Sequence, residues 1–175
     1  MSVVVLVIVL VAVGVALLVW FVSARNGLVQ QRNEVRRTWT DLDQLLKQRR
    51  DELPRLIGTC RSYLADSPKL LDPVLSARAS DANAAGIPGK ARSSDQLSAA
   101  LKELFVEGDR RRDLALDASY RQLKKLLAEL DDSIGQQAMR YNEQASAFNA
   151  RLTKPPGNLV GRFAGLKPQP RFVAS

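Results

Sequence analysis

The chain has 175 residues, with 26 Lys and Arg against 18 Asp and Glu, a formal net charge of +8, no histidine and one cysteine. The lack of histidine excludes catalytic triads and metal sites that depend on imidazole, and a single cysteine excludes an intramolecular disulfide. Aromatic residues are only 6%, and Leu, Ala, Arg, Gln and Asp dominate after residue 25, which is typical of a helical bundle.

Residues 3–22 form an apolar run that no charged or strongly polar side chain interrupts, with Trp20 and Phe21 near its end. As a helix rising ~1.5 Å per residue, this run reaches roughly 30 Å, the thickness of the hydrocarbon core of a bilayer. Small residues at Ser23 and Ala24 leave a cleaved signal peptide as the alternative, but the run is longer than the ~7–15 residues of a signal-peptide core. We therefore predict a retained transmembrane anchor over residues 1–24.

The Lys and Arg residues near this run predict its orientation. Arg25, Arg32, Arg36 and Arg37 follow it closely, and none precedes it. Because positive charge is retained on the cytoplasmic side, the N-terminus is expected outside and the domain in the cytoplasm.

The first long helix is expected to continue from the anchor to about Asp66, since no break except Gly27 separates the two. Its apolar residues recur mostly at steps of three, four or seven, which indicates one apolar stripe. Pro54 removes a backbone donor and should bend the helix. The stripe consists of Leu28, Val35, Trp39, Leu42, Leu46, Leu53, Leu56, Ile57, Cys60 and Leu64.

Two shorter helices are predicted in the middle of the chain. Ser67-Pro68 and Asp72-Pro73 each resemble a helix start, and residues 85–89 (Ala-Gly-Ile-Pro-Gly) form the clearest loop. Ser93 and Gln96 have the spacing of a capping box, so the third helix is expected to begin there. Its apolar face carries Leu97, Leu101, Leu104 and Phe105.

The last long helix shows apolar residues at alternating steps of three and four from Leu116 to Leu152, and residues 155–157 (Pro-Pro-Gly) stop it. Two long helices of similar length favour antiparallel pairing, with the short helices beside their distal half. We therefore predict an all-α fold, in which the transmembrane helix continues into an elongated antiparallel four-helix bundle over residues 25–153.

In a bundle whose four helices alternate in direction, the fourth helix runs back toward the membrane. The tail, residues 154–175, is therefore expected at the membrane surface. The tail is basic, contains no acidic residue and is interspersed with apolar side chains, a combination that suits an anionic lipid surface. In the alternative, Leu159, Val160 and Phe163 close the open end of the bundle, and both roles could hold on opposite faces. The candidate membrane-surface residues are Leu159, Arg162, Phe163, Lys167, Arg171 and Phe172.

A second group of candidate residues lies on the membrane-proximal parts of the two long helices. Antiparallel pairing would bring them together, with Asn33 expected to approach Asn142. A buried polar network that sets the register of the helices is one interpretation, and a pocket for a ligand or partner is the other. The cluster comprises Arg32, Asn33, Trp39, Asp43, Tyr141, Asn142 and Asn149.

Other candidate sites favour structural roles. Four carboxylates, those of Asp41, Asp43, Asp131 and Asp132, lack the spacing of a known metal loop, and Lys47 is a simple partner for Asp43. Cys60 lies on the apolar stripe and is expected to be an inert core thiol. No nucleic-acid-binding motif accompanies the positive charge, so nucleic acid is not an expected partner. We expect no cofactor, no metal and no enzymatic activity.

Motifs on the two long helices and in the tail carry a family resemblance. They are Leu28-Val29-x-x-Arg32-Asn33, Trp39-x-Asp41-Leu42-Asp43, Leu46-Lys47-x-Arg49, Asp51-x-Leu53-Pro54, Arg140-Tyr141-Asn142, Asn149, Pro156-x-Asn158-Leu159-Val160 and Gly165-Leu166-Lys167-Pro168. In these motifs the chain resembles the LemA family of bacterial membrane proteins. Residues 130–132 (Leu-Asp-Asp) depart from the family, whose members usually have Thr-Glu-Asn there.

The resemblance implies a single-pass protein of the bacterial inner membrane with an outward N-terminus and a helical-bundle domain. It implies no catalytic activity. The expected function is that of a scaffold or interaction protein, and the alternative is a regulator or adaptor of a membrane protease or envelope-stress enzyme. The expected partners are the lipid bilayer, an unidentified membrane or envelope protein and a second copy of the chain.

Overall fold

The computed structural model describes residues 2–173, and all regular secondary structure among them is helical. The chain divides into two compact units. The first unit comprises residues 1–37 and 143–169, and the second unit comprises residues 38–142 and 170–175. The helices are α1 (Ser2–Tyr63), a 3₁₀ turn (Pro68–Leu71), α2 (Asp72–Asn83), α3 (Gly86–Arg110), α4 (Arg112–Leu116), α5 (Ala118–Thr153) and α6 (Gly157–Phe163).

Helix α1 contains the apolar run and continues without a break through Pro54. The prediction of one continuous helix is confirmed, although it ends at Tyr63, three residues earlier than expected. None of residues 3–22 is buried. By length and composition this part of α1 could cross a membrane.

The core of the second unit is formed by the predicted apolar stripes. Leu53 and Leu56 of α1, Leu97 of α3 and Tyr120 of α5 are all fully buried in one cluster. Leu116, expected to start the last stripe, is instead 63% exposed in the short helix α4. The helix that carries the last stripe begins at Ala118, where the Asp117 carboxylate accepts a hydrogen bond from the Tyr120 amide at 2.7 Å.

The predicted loop at residues 85–89 is wrong, because Gly86 to Gly89 form the first turn of α3. Gly86 has a φ of +68°, a left-handed conformation that glycine adopts without steric cost. Pro88 is compatible with a first helical turn, where backbone amides have no partner within the helix. The predicted capping box is also wrong, since Ser93 lies inside α3, buried, and its hydroxyl donates to the Asp81 carboxylate at 2.9 Å.

The end of the last long helix before Pro155 is confirmed, and a short helix that the sequence reading missed, α6, follows it. Gly157, Val160 and Gly161 form the buried face of α6. A Cβ atom at Gly161 would lie 2.7 Å from Cδ2 of Leu152, and one at Gly157 would collide with the carbonyl oxygen of Arg151. Glycine at these two positions therefore allows α6 to pack closely against the end of α5.

Candidate functional site

Three predicted aromatic residues form a cluster in the second unit. The ring of Trp39 lies 5.5 Å from that of Tyr141 and 6.2 Å from that of Phe172, measured between centroids. Lys90, which was not predicted, places its ammonium 5.5 Å from the centre of the Trp39 ring and pairs with Asp43. Asp43 therefore pairs with Lys90, and the prediction of Lys47 as its partner is wrong.

The side chain of Asn142 forms hydrogen bonds with both the backbone amide and the backbone carbonyl of Phe172. Its Nδ2 donates to the Phe172 carbonyl at 2.8 Å, and its Oδ1 accepts from the Phe172 amide at 2.8 Å. The Tyr141 hydroxyl donates to the carbonyl of Pro170 at 2.6 Å. Burial raises the pKa of Tyr141, which keeps this hydroxyl protonated and able to donate. Phe172 is 9% exposed, so the prediction that its ring faces lipid is wrong.

Asn149 makes the same two-bond contact within the first unit. Its Nδ2 donates to the carbonyl of Gln169, and its Oδ1 accepts from the Gln169 amide, both at 2.8 Å. A primary amide has one donor edge and one acceptor, so it can pair with a peptide group as a neighbouring strand would. The two predicted asparagines of α5 thus bind the backbone of the tail.

The remaining members of the predicted polar cluster lie at the surface of the first unit. Asn33 is exposed and lines a shallow depression with Arg37, and Arg32 is half-buried. A buried role for Asn33 is therefore wrong, because its side chain is exposed. Its approach to Asn142 stays a prediction.

Helix α6 presents apolar side chains outward in the first unit. Leu159 is 55% and Phe163 is 81% exposed, whereas Val160 is fully buried. The ring of Phe163 meets the ring of Phe21 edge-on, at 6.3 Å between centroids. Of the three residues predicted to close the bundle, Val160 is buried, while Leu159 and Phe163 face outward. The other predicted surface residues, Arg162, Lys167 and Arg171, are exposed.

The second unit contains a buried charge, that of Arg49, which the sequence analysis did not predict. Arg49 is 1% exposed, and its guanidinium donates to Asp131 at 2.6 Å, to the Ser98 hydroxyl at 2.9 Å and to the Ser94 hydroxyl at 2.8 Å. Burial lowers the pKa of Arg49, and the nearby Asp131 opposes that shift. A signal was present in the sequence: the apolar stripe steps by seven from Leu46 to Leu53, and Arg49 occupies the vacant core position between them.

A second buried ion pair lies nearby in the same unit. The carboxylate of Asp81 is 2% exposed, accepts from Arg50 Nε at 2.5 Å and also accepts from the Ser93 hydroxyl. Asp81 and Arg50 lie 31 residues apart in the chain, so no local spacing could have predicted this pairing. These contacts connect α1, α2 and α3 and have the character of a structural network rather than of a reactive site.

Comparison with protein-family models matches the model of the LemA family to residues 38–175. The matched range covers most of the chain and includes the aromatic cluster, both tail-binding asparagines and α6. Comparison with curated proteins gives no match.

Proposed function

The chain belongs to the LemA family, and from this premise we propose that it is a single-pass protein of the bacterial inner membrane whose helical domain binds other proteins and catalyses no reaction. The domain is an elongated antiparallel four-helix bundle on the cytoplasmic side. Binding to a membrane or envelope protein, or to a second copy of the chain, is the proposed role.

The exposure of the apolar run is the observation that carries the membrane anchoring in this proposal. Val3 to Val22 present side chains such as Leu6, Leu10 and Leu18, each at least 60% exposed. Soluble proteins rarely expose contiguous apolar patches larger than a few hundred Å². Transfer of each large apolar side chain from water contributes about 1.5–3 kcal/mol, so lipid is the environment in which this helix is stable.

The first charged residues after the run support the proposed orientation. Arg25, Arg32, Arg36 and Arg37 lie within fifteen residues of its end, the distance over which the positive-inside rule operates. Fusion of alkaline phosphatase to the C-terminus should give an inactive reporter, and fusion of a fluorescent protein there should give a bright one. An active phosphatase would reverse the orientation and leave the anchor in place.

The chemistry of Cys60 argues against catalysis by a thiolate. The thiol is fully buried, and burial raises its pKa to about 11, so very little thiolate is present at neutral pH. The chain has no histidine to act as a base. The strongest nucleophile of the chain is thus protonated and inaccessible.

Site-specific photocrosslinking in the native membrane tests the proposed role. A crosslinking residue at Met139, which is 61% exposed and two residues from Tyr141, should capture a discrete membrane protein. The matched control is Leu116, 63% exposed and far along the chain from the tail-binding residues. Capture of a membrane protease or an envelope-stress enzyme would favour the regulator role, and capture of the chain itself would favour a homo-oligomer. No discrete product at either position would contradict the proposal.

A further inference from the structure

The first unit contains a cavity of about 400 Å³ at the point where the apolar run gives way to polar sequence. One wall is formed by Ser23, Gly27 and their neighbours on α1, and the other by Arg151, Lys154 and the prolines that follow. Its volume is within the range of small-molecule sites. The small residues on α1 leave the space open, since a Cβ atom at Gly27 would have Arg151 Nη1 as its nearest neighbour, at 4.0 Å.

The charged side chains that line the cavity are both positive. Arg151 and Lys154 are its charged lining residues, and no carboxylate lines it. The Arg151 guanidinium donates to the neutral Gln31 side chain at 3.4 Å. Among residues 2–173, each salt bridge is made by a Lys or Arg other than Arg151 and Lys154. A guanidinium and an ammonium that line one cavity, neither of them in a salt bridge, are complementary to a phosphate group.

The position of the cavity selects the source of that phosphate. Ser23 is the first residue after the apolar run, so the cavity lies at the depth of the lipid headgroups when residues 3–22 occupy the hydrocarbon core. Leu159 and Phe163 of α6 are exposed beside it, and Phe163 contacts Phe21. Acyl chains would cover these side chains while the headgroup enters the cavity.

We propose that this cavity binds the phosphodiester headgroup of one anionic phospholipid, held by Arg151 and Lys154. The inference rests on the proposed membrane anchoring and adds a lipid specificity to it. The single negative charge of the bound lipid would offset part of the excess positive charge of the first unit.

Native mass spectrometry of the full chain in detergent, with equimolar phosphatidylglycerol and phosphatidylcholine, tests the proposal. The chain should retain one phosphatidylglycerol about tenfold more than phosphatidylcholine. Arg151→Gln with Lys154→Gln should abolish this preference. The matched control, Arg61→Gln with Lys125→Gln, removes the same charge from exposed positions of the second unit and should keep it. Equal retention of the two lipids by the unaltered chain would overturn the proposal, as would loss of preference in the control.

A second variant changes the shape of the cavity without changing its charge. Gly27→Leu fills the space with an apolar side chain and raises helix propensity, so the folded helix is retained while the headgroup is excluded. It should lose the preference for phosphatidylglycerol, and retention of the preference would overturn the assignment of the cavity. Displacement of the lipid by millimolar inorganic phosphate would identify a site for free phosphate instead and would overturn the lipid proposal.

Membrane fractionation of the same variants distinguishes failure of the headgroup site from failure of the proposed membrane anchoring. A chain that stays in the membrane after carbonate extraction but shows no lipid preference would disprove the headgroup site alone. A chain found in the soluble fraction would disprove the anchoring itself.

Discussion

The two units differ most in how their charge is balanced. The first unit has eight Lys and Arg against two Glu, a net charge of +6, whereas the second has 18 against 16, a net charge of +2. Most ion pairs of the described residues lie in the second unit, including those of Arg49 and Arg50, each of which has one buried and one partly exposed partner. The second unit thus neutralises its own charge, as a water-soluble domain does. The first unit combines exposed apolar side chains with unneutralised cations, which is the combination that an anionic lipid surface stabilises.

The largest effect is expected at the buried charge of the second unit. Asp131→Ala should lower the free energy of unfolding by about 3 kcal/mol, because it leaves the buried Arg49 guanidinium without its hydrogen-bonded counter-charge. Urea unfolding of the full chain in detergent, followed by circular dichroism, measures the change. Asp132→Ala removes the adjacent, exposed carboxylate and serves as the control. Equal losses in the two variants would show that the second unit does not depend on internal ion pairing.

In the first unit the vulnerable feature is backbone packing. Gly157→Ala should destabilise the seat of α6 by roughly 2 kcal/mol, since its Cβ atom collides with a carbonyl oxygen rather than with a flexible side chain. Limited proteolysis should then cut the chain near residue 157. Gly135→Ala is the control, because a Cβ atom there meets nothing within 4 Å, and it should stabilise helix α5 slightly. Unchanged protection in Gly157→Ala would contradict the close packing of α6.

The tail contact in the second unit should give a smaller effect. Asn142→Ala removes two hydrogen bonds to Phe172 and should cost about 1–2 kcal/mol locally. Hydrogen exchange at the Phe172 amide should accelerate roughly tenfold, since that amide loses its acceptor. Gln144→Ala, exposed and two residues away, should leave the exchange rate unchanged. Slow exchange in Asn142→Ala would show that the other contacts of the tail, those of Trp39 and Tyr141 among them, protect this amide.

The smallest effect concerns the acid side of the stability profile of the second unit. Hydrogen bonds from the Tyr120 amide and the Tyr63 hydroxyl lower the pKa of Asp117. The folded state therefore binds this proton less readily than the unfolded state, and the stabilisation is present above the unfolded pKa of about 4. It is lost as the pH falls through the lower, folded pKa. In Asp117→Asn, the fall in unfolding temperature between pH 5 and pH 3 should become smaller. Asp113→Asn is the control, and an identical response of the two variants would contradict the role of Asp117.

Regular periodicity made much of the fold predictable. The stripes on the two long helices identified the buried residues from Leu28 to Leu64 and from Tyr120 to Phe148, because a helix that packs on one face must repeat apolar residues at its own period. The predicted stripe contains no core residue between Leu46 and Leu53, where Arg49 is buried. A charge at a core position is stable only with partners such as Asp131 and Ser94, and these are distant in sequence. Similarly, Gly and Pro at residues 86–89 suggested a loop because their helix propensity is low. Helix propensity is only a weak predictor, and the tertiary packing of α3 outweighs it.

Candidate residues were predicted better than their partners. Asn142, Asn149 and Tyr141 were predicted in a cluster with residues of the first helix, whereas the polar contacts they make are with backbone groups of the tail, which no side-chain pattern reveals. Phe172 and Phe163 looked alike in the sequence, as aromatic residues among cations. The structure buries the first against Trp39 and exposes the second beside Phe21.

The sequence by itself determined the apolar run, the helical class, the family and the excess of positive charge near the run, because each depends on composition and on local periodicity. Only the tertiary structure decided which charges are neutralised, which aromatic ring is exposed and where a cavity remains, because these depend on residues separated by tens to more than a hundred positions. The apolar stretch from Val3 to Val22 is evident from the sequence, and none of it is buried in the structure. The structure adds that a positively charged cavity, lined by Arg151 and Lys154, opens immediately after it.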